Sequence, residues 1–316
     1  MKTGLFIPTL NAGKEWEKLL RSIEEQSHTC HRRVIVDSGS SDQTVALAHR
    51  YGWEVVEISP TAFDHGGTRN MALTLLSDCD VVVYLTQDVM FDLPDALSRL
   101  VEPFEINPEV ACSYGRQLPH DDASAVARHA RIFNYPVRSQ IKDHHMIETY
   151  GFKTCFVSNS FAAWRMSDLR QNGGFPSDIV FGEDACMAAK LILKEKQIVY
   201  VADAQVHHSH NYNFLEVMKR YFDIGVFHAT QPWIRDQFGT VSGEGVRFIV
   251  SEVRYLLMHA PHYLLKAALD NLSKMLGYRL GRVYHRLPFA LRARLSLNPN
   301  YWERLKQKSC KCDAPS

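Results

Sequence analysis

The chain has 316 residues, 46% hydrophobic and 22% charged, with a formal net charge of +1. Those proportions belong to folded globular proteins and exclude a disordered chain, a collagen-like repeat and a small disulfide knot. The near-neutral total gives no reason to expect nucleic acid, but the charge is unevenly placed: residues 254–316 hold twelve Lys and Arg against three acids, a net +9, which leaves −8 on the rest.

In chain order, short apolar runs at residues 4–7, 34–36, 54–58 and 81–85 read as buried strands. Between them lie helical spacings: Trp16, Leu19, Leu20 and Ile23, then residues 45–51, then 71–76. This alternation predicts an α/β fold, a mostly parallel Rossmann-like sheet with helices on both faces and ligands bound at the carboxyl ends of its strands. Further strands are expected at 110–114, 154–157 and 197–201, and helices at 123–134 and 184–194. From Phe214 onward the periods are almost all helical. The chain therefore divides into a catalytic-type domain, 1–212, and a basic helical extension, 213–316. Seven cysteines (Cys30, Cys79, Cys112, Cys155, Cys186, Cys310 and Cys312) form no CxxC pair, so neither a zinc ribbon nor a disulfide framework is indicated. The start lacks a signal-peptide pattern, and no stretch reaches the roughly 20 apolar residues of a membrane span, so a cytosolic location is expected.

Several strand ends run into polar loops. The first gives Pro8-Thr9-Leu10-Asn11-Ala12-Gly13, and the second Asp37-Ser38-Gly39-Ser40-Ser41-Asp42. Either alone is ordinary turn and cap chemistry; side by side they form a polar recess in which Asp37 can accept hydrogen bonds from a base or a ribose. Neither is a GxGxxG or a P-loop. Residues His65-Gly66-Gly67-Thr68-Arg69 open a helix, with glycines for close approach and Arg69 as a fork of donors suited to a diphosphate; a Gly-rich turn with a solvated arginine fits equally well. Thr86-Gln87-Asp88 follows the fourth strand, where Asp88 can bind a cation or cap a turn. Glu183-Asp184 head an apolar helix, as dipole partners or as a base. In the run His207-His208-Ser209-His210, strand alternation puts His208 and His210 on one face and His207 on the other.

Together these segments resemble family 2 glycosyltransferases. The segments 65–70, 115–120, 158–163, 208–212 and 221–229 resemble more narrowly the bacterial rhamnosyltransferases of O-antigen assembly. The match covers about residues 3 to 255, with the motifs in the same order. The resemblance implies a GT-A-type fold and an inverting transfer of rhamnose from dTDP-L-rhamnose to a glycan on undecaprenyl diphosphate. Carried over by position, Thr9, Asn11, Asp37, Ser38, Gly39 and Gln87 would hold the donor and Arg69 would lie near its diphosphate. Asp88 would bind Mg²⁺ or Mn²⁺ with His208, and His210 behind it. Asp184 would be the base, with Glu183 as the alternative. Thr86 stands where the family's metal motif has its first carboxylate.

In the extension, Leu265, Leu269, Leu272, Leu276, Leu280, Val283, Tyr284 and Leu287 recur at helical spacing, apart from Lys274, Arg279, Arg282 and Arg286. Such a helix either lies on an anionic membrane surface or packs its stripe on the domain. The resemblance favours the membrane, at the inner face of the cell membrane. The competing functions are transfer from another nucleotide sugar, a sugar-nucleotide nucleotidyltransferase and a nucleotide-sensing scaffold. The second is disfavoured by the first loop, which lacks the Gly-rich basic pattern that holds a triphosphate.

Overall fold

Successive residues of the first strand point to opposite sides of a sheet, and both sides are apolar. Leu5 and Ile7 enter one core cluster and Phe6 the other, as expected of a sheet covered on both faces. The computed structural model describes residues 1–239 and 243–312, with side chains as far as residue 307. Its strands are β1 (Thr3–Thr9), β2 (Arg32–Asp37), β3 (Glu54–Glu57), β4 (Val81–Leu85), β5 (Val110–Leu118), β6 (Gln140–Lys142), β7 (Phe161–Arg165) and β8 (Gln197–His207). They lie in the order β3-β2-β1-β4-β7-β5-β8-β6. All pairings are parallel except those of β7 with β4 and β5, and of β6 with β8. Trp16, Leu19 and Leu20 with Leu97, Leu100 and Phe104 cover one face; the helix Glu183–Ile192 covers the other.

The chain winds outward from β1 through β2 to β3, then returns to place β4 on the other side of β1. A reversal of this kind opens a crevice at the carboxyl ends of the two strands. Pro8 widens it: β1 pairs with β4 only as far as Phe6, so the missing N–H of Pro8 costs no bond on that side. Because β7 is antiparallel, its start at Phe161 sits beside Leu85. The polar ends of β1, β2, β4, β5 and β8 and the residues before β7 thus share one edge.

Three sequence expectations change. Residues 154–157 form no strand; the short helix Gly151–Cys155 stands there instead. The Lys142 ammonium donates to the carbonyls of Lys153 and Phe156, both at 3.1 Å, and to the Tyr114 hydroxyl at 2.6 Å, so those carbonyls are taken by a side chain. β8 runs past residue 201 to His207, through an irregularity where its partner register jumps from Gly115↔Val201 to Arg116↔Gln205, a bulge that re-aims the strand end. The third change concerns the leucine stripe. The helix Leu264–Arg282 packs on Phe214–Thr230 through Gly277 and Gly281, with Leu280 joining the cluster of Phe222 and Val226, while Ala267 packs with Leu256 and Ala260. A Cβ on Gly277 or Gly281 would overlap the carbonyl oxygens of Met218 or Phe222, so the two backbones touch there. Leu265, Leu269, Leu272 and Leu276 therefore face outward, Leu265 with 72% of its surface exposed.

The expected basic stripe is also divided. Lys274 lies 4.3 Å over the Phe248 ring, and Arg282 donates to the His228 carbonyl, while Arg279 is exposed. The charges of Lys308, Lys311 and Asp313 lie outside the described side chains. The last helix turns back on the domain. Trp302 is fully buried with Val180, Phe222 and Val226, and Arg304 donates to the Phe63 carbonyl and, at 2.9 Å, to Asp64 Oδ2.

Candidate active site

The loops after β1 and β2 are tied to each other. Asp37 is fully buried; its carboxylate accepts from Thr9 Oγ1 (2.9 Å), Ser40 Oγ (2.5 Å) and the amides of Gly39 (3.0 Å) and Ser40 (2.8 Å). The Ser38 hydroxyl donates to the Thr9 carbonyl, while Asn11, at φ 45°, receives the Ser41 amide on Oδ1 and gives its own to Ser40 Oγ. Gln87 reaches across from β4 and brackets the Leu10 backbone, accepting at 2.8 Å and donating at 3.0 Å. The sequence places these residues at a nucleoside. The structure occupies Thr9, Asp37 and Ser38 with holding the recess in shape, because tight polar turns expose amides that need acceptors. Asn11 and Gly39 line its exposed surface.

Asp88 extends from the end of β4 toward the end of β8. Its Oδ2 lies 3.3 Å from His208 Nε2 and 3.7 Å from His210 Nε2, and the three donor atoms all lie within 4.8 Å of one another. His207 turns the other way, to the Pro119 carbonyl and Asp92. Gln117, near the end of β5, fixes the arrangement: its Oε1 lies 2.8 Å from His208 Nδ1 and 2.7 Å from Arg131 Nη1, and its Nε2 donates to Ser158 Oγ at 3.0 Å. An amide oxygen only accepts, so His208 carries its proton on Nδ1 and turns the Nε2 lone pair toward Asp88. With that tautomer the Asp88 carboxylate and the two imidazole nitrogens present a set of atoms that could hold a cation. One carboxylate oxygen with two imidazole nitrogens suits Mn²⁺ better than Mg²⁺, which favours oxygen alone.

Glu183 and Asp184 open the helix Glu183–Ile192 and meet different fates. Glu183 pairs with Arg69 at 2.5 Å, and both side chains are under a tenth exposed. The expected diphosphate donor, Arg69, is thus turned to an internal acid. Its short helix lies against Glu183, and Gly66 has no room for a Cβ beneath the Pro176 carbonyl. Asp184 accepts from the amides of Asn159 (3.2 Å) and Ala185 (2.8 Å). Burial, and then the neighbouring Glu183 charge, push its carboxyl up to about 7. A carboxylate poised near neutrality can take a proton. The segment 158–160 joins the two centres: Ser158 receives Gln117, the Asn159 amide bonds Asp184, and the Ser160 carbonyl accepts the Thr86 amide. Gln117, Arg131 and Asn159 had no assigned role from sequence, although Gln117 and Asn159 stand within segments that carry the resemblance.

Solved structures share this fold. A mannosyltransferase from Pyrobaculum calidifontis, solved with GDP-Man and Mn²⁺, superposes with a TM-score of 0.57 at 17% identity, covering 97% of this chain and 88% of its own. Staphylococcus aureus TarS residues 1–349, solved with UDP-GlcNAc, gives 0.53 at 16% identity, covering 90% and 92%. At these identities the likeness shows the fold, a GT-A-like α/β sheet. The model of glycosyl transferase family 2 matches residues 5–173. The chain is also 44% identical over 312 residues to the O-antigen chain rhamnosyltransferase RfbN of Salmonella typhimurium, covering 98% of this chain and 99% of that protein. To the O-antigen chain rhamnosyltransferase WbaN of Salmonella anatum it is 42% identical, covering 97% and 98%. The chain belongs to glycosyltransferase family 2, and it is a glycosyltransferase.

Proposed function

We propose that this chain transfers a rhamnosyl residue from dTDP-L-rhamnose, with inversion, to a saccharide carried on undecaprenyl diphosphate in O-antigen assembly. The near full-length likeness to two O-antigen chain rhamnosyltransferases supports the sugar and the process. The observation that carries the chemistry is the pairing of an Asp-His-His cluster and a near-neutral Asp184 on either side of the segment 158–160. A divalent cation held by Asp88, His208 and His210 would supply positive charge against the departing diphosphate. The recess between β1, β2 and β4 receives the nucleoside. Asp184 accepts the proton of the acceptor hydroxyl as it attacks from the opposite face of the sugar. Glu183, held by Arg69, stays anionic and keeps Asp184 basic. A screen of dTDP-, UDP- and GDP-sugars against lipid-linked acceptors, read by mass, tests this. Transfer of a rhamnosyl mass with release of dTDP is expected, and exclusive use of another donor overturns the assignment.

The acceptor implies a membrane. Among the described residues no helix is long and apolar enough to cross one, but two helices turn apolar faces outward. Leu265, Leu269, Leu272 and Leu276 do so on one helix, and Val246, Ile249, Val250, Val253 and Leu257 on Glu244–His259, with exposed Arg254 and Arg279 beside them. Apolar faces flanked by arginine suit the interface of an anionic bilayer. Flotation of the full chain with phosphatidylglycerol vesicles should be lost in Leu269→Glu/Leu276→Glu. Equal flotation removes the membrane role.

A further inference from the structure

Two guanidinium groups stand at this edge without an acid to pair with. Arg131, on the helix Ala125–Asn134, donates to Gln117 Oε1, the same oxygen that holds His208, and lies 5.8 Å from the centre of the Tyr135 ring. Arg220, on Phe214–Thr230, is held over the rings of Phe181 (5.3 Å) and Tyr212 (5.8 Å), and Tyr212 lies 5.1 Å from the His210 ring. Both are half-buried, and among the described residues neither has a carboxylate within ion-pair distance, unlike Arg69 and Arg304. They also feel each other: burial first, and the Arg220 charge with it, hold Arg131 below its ordinary value, while Asp88 opposes this. Burial raises the Tyr135 hydroxyl, and the charges of Arg131 and Arg220 both act against it. Two partly desolvated like charges on separate helices are unfavourable unless an anion sits between them.

We propose that Arg131 and Arg220 form a diphosphate clamp beside the Asp88–His208–His210 cluster, each guanidinium holding phosphate oxygens of a bound substrate. The clamp rests on the glycosyl-transfer reading above. Guanidinium forks match phosphate oxygens in geometry and charge, and half-burial strengthens the contact. The diphosphate is that of the nucleotide donor or that of the isoprenoid acceptor; the recognising chemistry is the same. Lys would retain the charge while losing the fork.

The test titrates the full chain with Mn²⁺ against two kinds of probe, a nucleoside diphosphate (dTDP, UDP, GDP or CDP) and farnesyl diphosphate in detergent. Wild type is compared with Arg131→Gln, Arg220→Gln, the double variant and Arg220→Lys, each checked by thermal melting. Each Gln variant should weaken one probe by about tenfold or more, the double variant further, with Arg220→Lys intermediate. Loss confined to the nucleotide assigns the clamp to the donor, and loss confined to farnesyl diphosphate assigns it to the acceptor. If wild type binds and every variant binds equally, the clamp is wrong and glycosyl transfer stands. If wild type binds neither probe, the donor–acceptor reading falls and takes the clamp with it.

Discussion

The two halves of the strand-end edge are built in opposite ways. At β1 and β2 the polar side chains answer one another: Asp37 has four donors, and Gln87 locks Leu10 with two bonds. At β4 and β8, the Asp88 carboxylate lies 3.3 Å from an imidazole nitrogen, and beside them Arg131 and Arg220 have no carboxylate within ion-pair distance among the described residues. The first half holds its shape by itself, whereas the second gathers the charge to which the proposed cation and diphosphate are assigned. Shape recognition and charge recognition thus sit on separate loops, and substitutions in the two halves should fail differently.

The largest effect is expected at the base. Asp184→Asn should lower turnover by about 10²–10⁴-fold while donor affinity, measured calorimetrically, stays near wild type; turnover at the wild-type rate would remove Asp184 from the role. The sign of its pH dependence follows from the raised carboxyl. The ionised form is the competent one, so the rate should fall as pH drops through about 7, and Asp184→Asn should lack that inflection. Next comes Asp88→Ala, for which Mn²⁺-dependent gain in donor affinity should vanish; an unchanged metal response would place the cation elsewhere. Gln117→Ala touches no metal directly but frees the His208 ring, so Mn²⁺ affinity should drop about 10–100-fold, as for other residues that orient a ligand. The smallest change belongs to the self-sufficient half. Gln87→Ala should raise the KM for donor several-fold with kcat nearly intact, since two hydrogen bonds of about 1 kcal/mol each hold a loop that Asp37 still anchors. A larger effect on kcat than on KM would show that Gln87 works on the reacting sugar.

The separation also explains what could be read from the chain. The first four strands announce themselves as apolar runs closed by polar turns, and that pattern fixes the crevice between β1 and β4. That His208 and His210 share a face follows from period-two alternation, whereas their meeting with Asp88 is implied by the family resemblance. By contrast, β6 is three residues long, Gln140–Lys142, with one apolar residue, and in the segment expected as a strand at 154–157 the Phe156 carbonyl is taken by Lys142. Gln117 and Arg131 become site residues only through the order β4-β7-β5-β8, which depends on pairings distant in sequence. Arg69 was legible as a strong anion donor, but not as one already claimed by Glu183, because that contact spans 114 positions. The leucine stripe, which allows either an outward or an inward face, is divided: Leu265, Leu269, Leu272 and Leu276 are exposed, while Leu280, Tyr284 and Leu287 pack against the cluster of Phe222, Val226 and Trp302.

The clasp made by the helix Pro299–Cys312 ties distant parts of the chain together. Arg304 and Asn298 reach back 240 and 233 positions to Asp64 and His65, beside the arginine that anchors Glu183. A truncation before Pro299 should therefore loosen the segment that carries Arg69 even though Arg304 and Trp302 touch neither Asp88 nor Asp184.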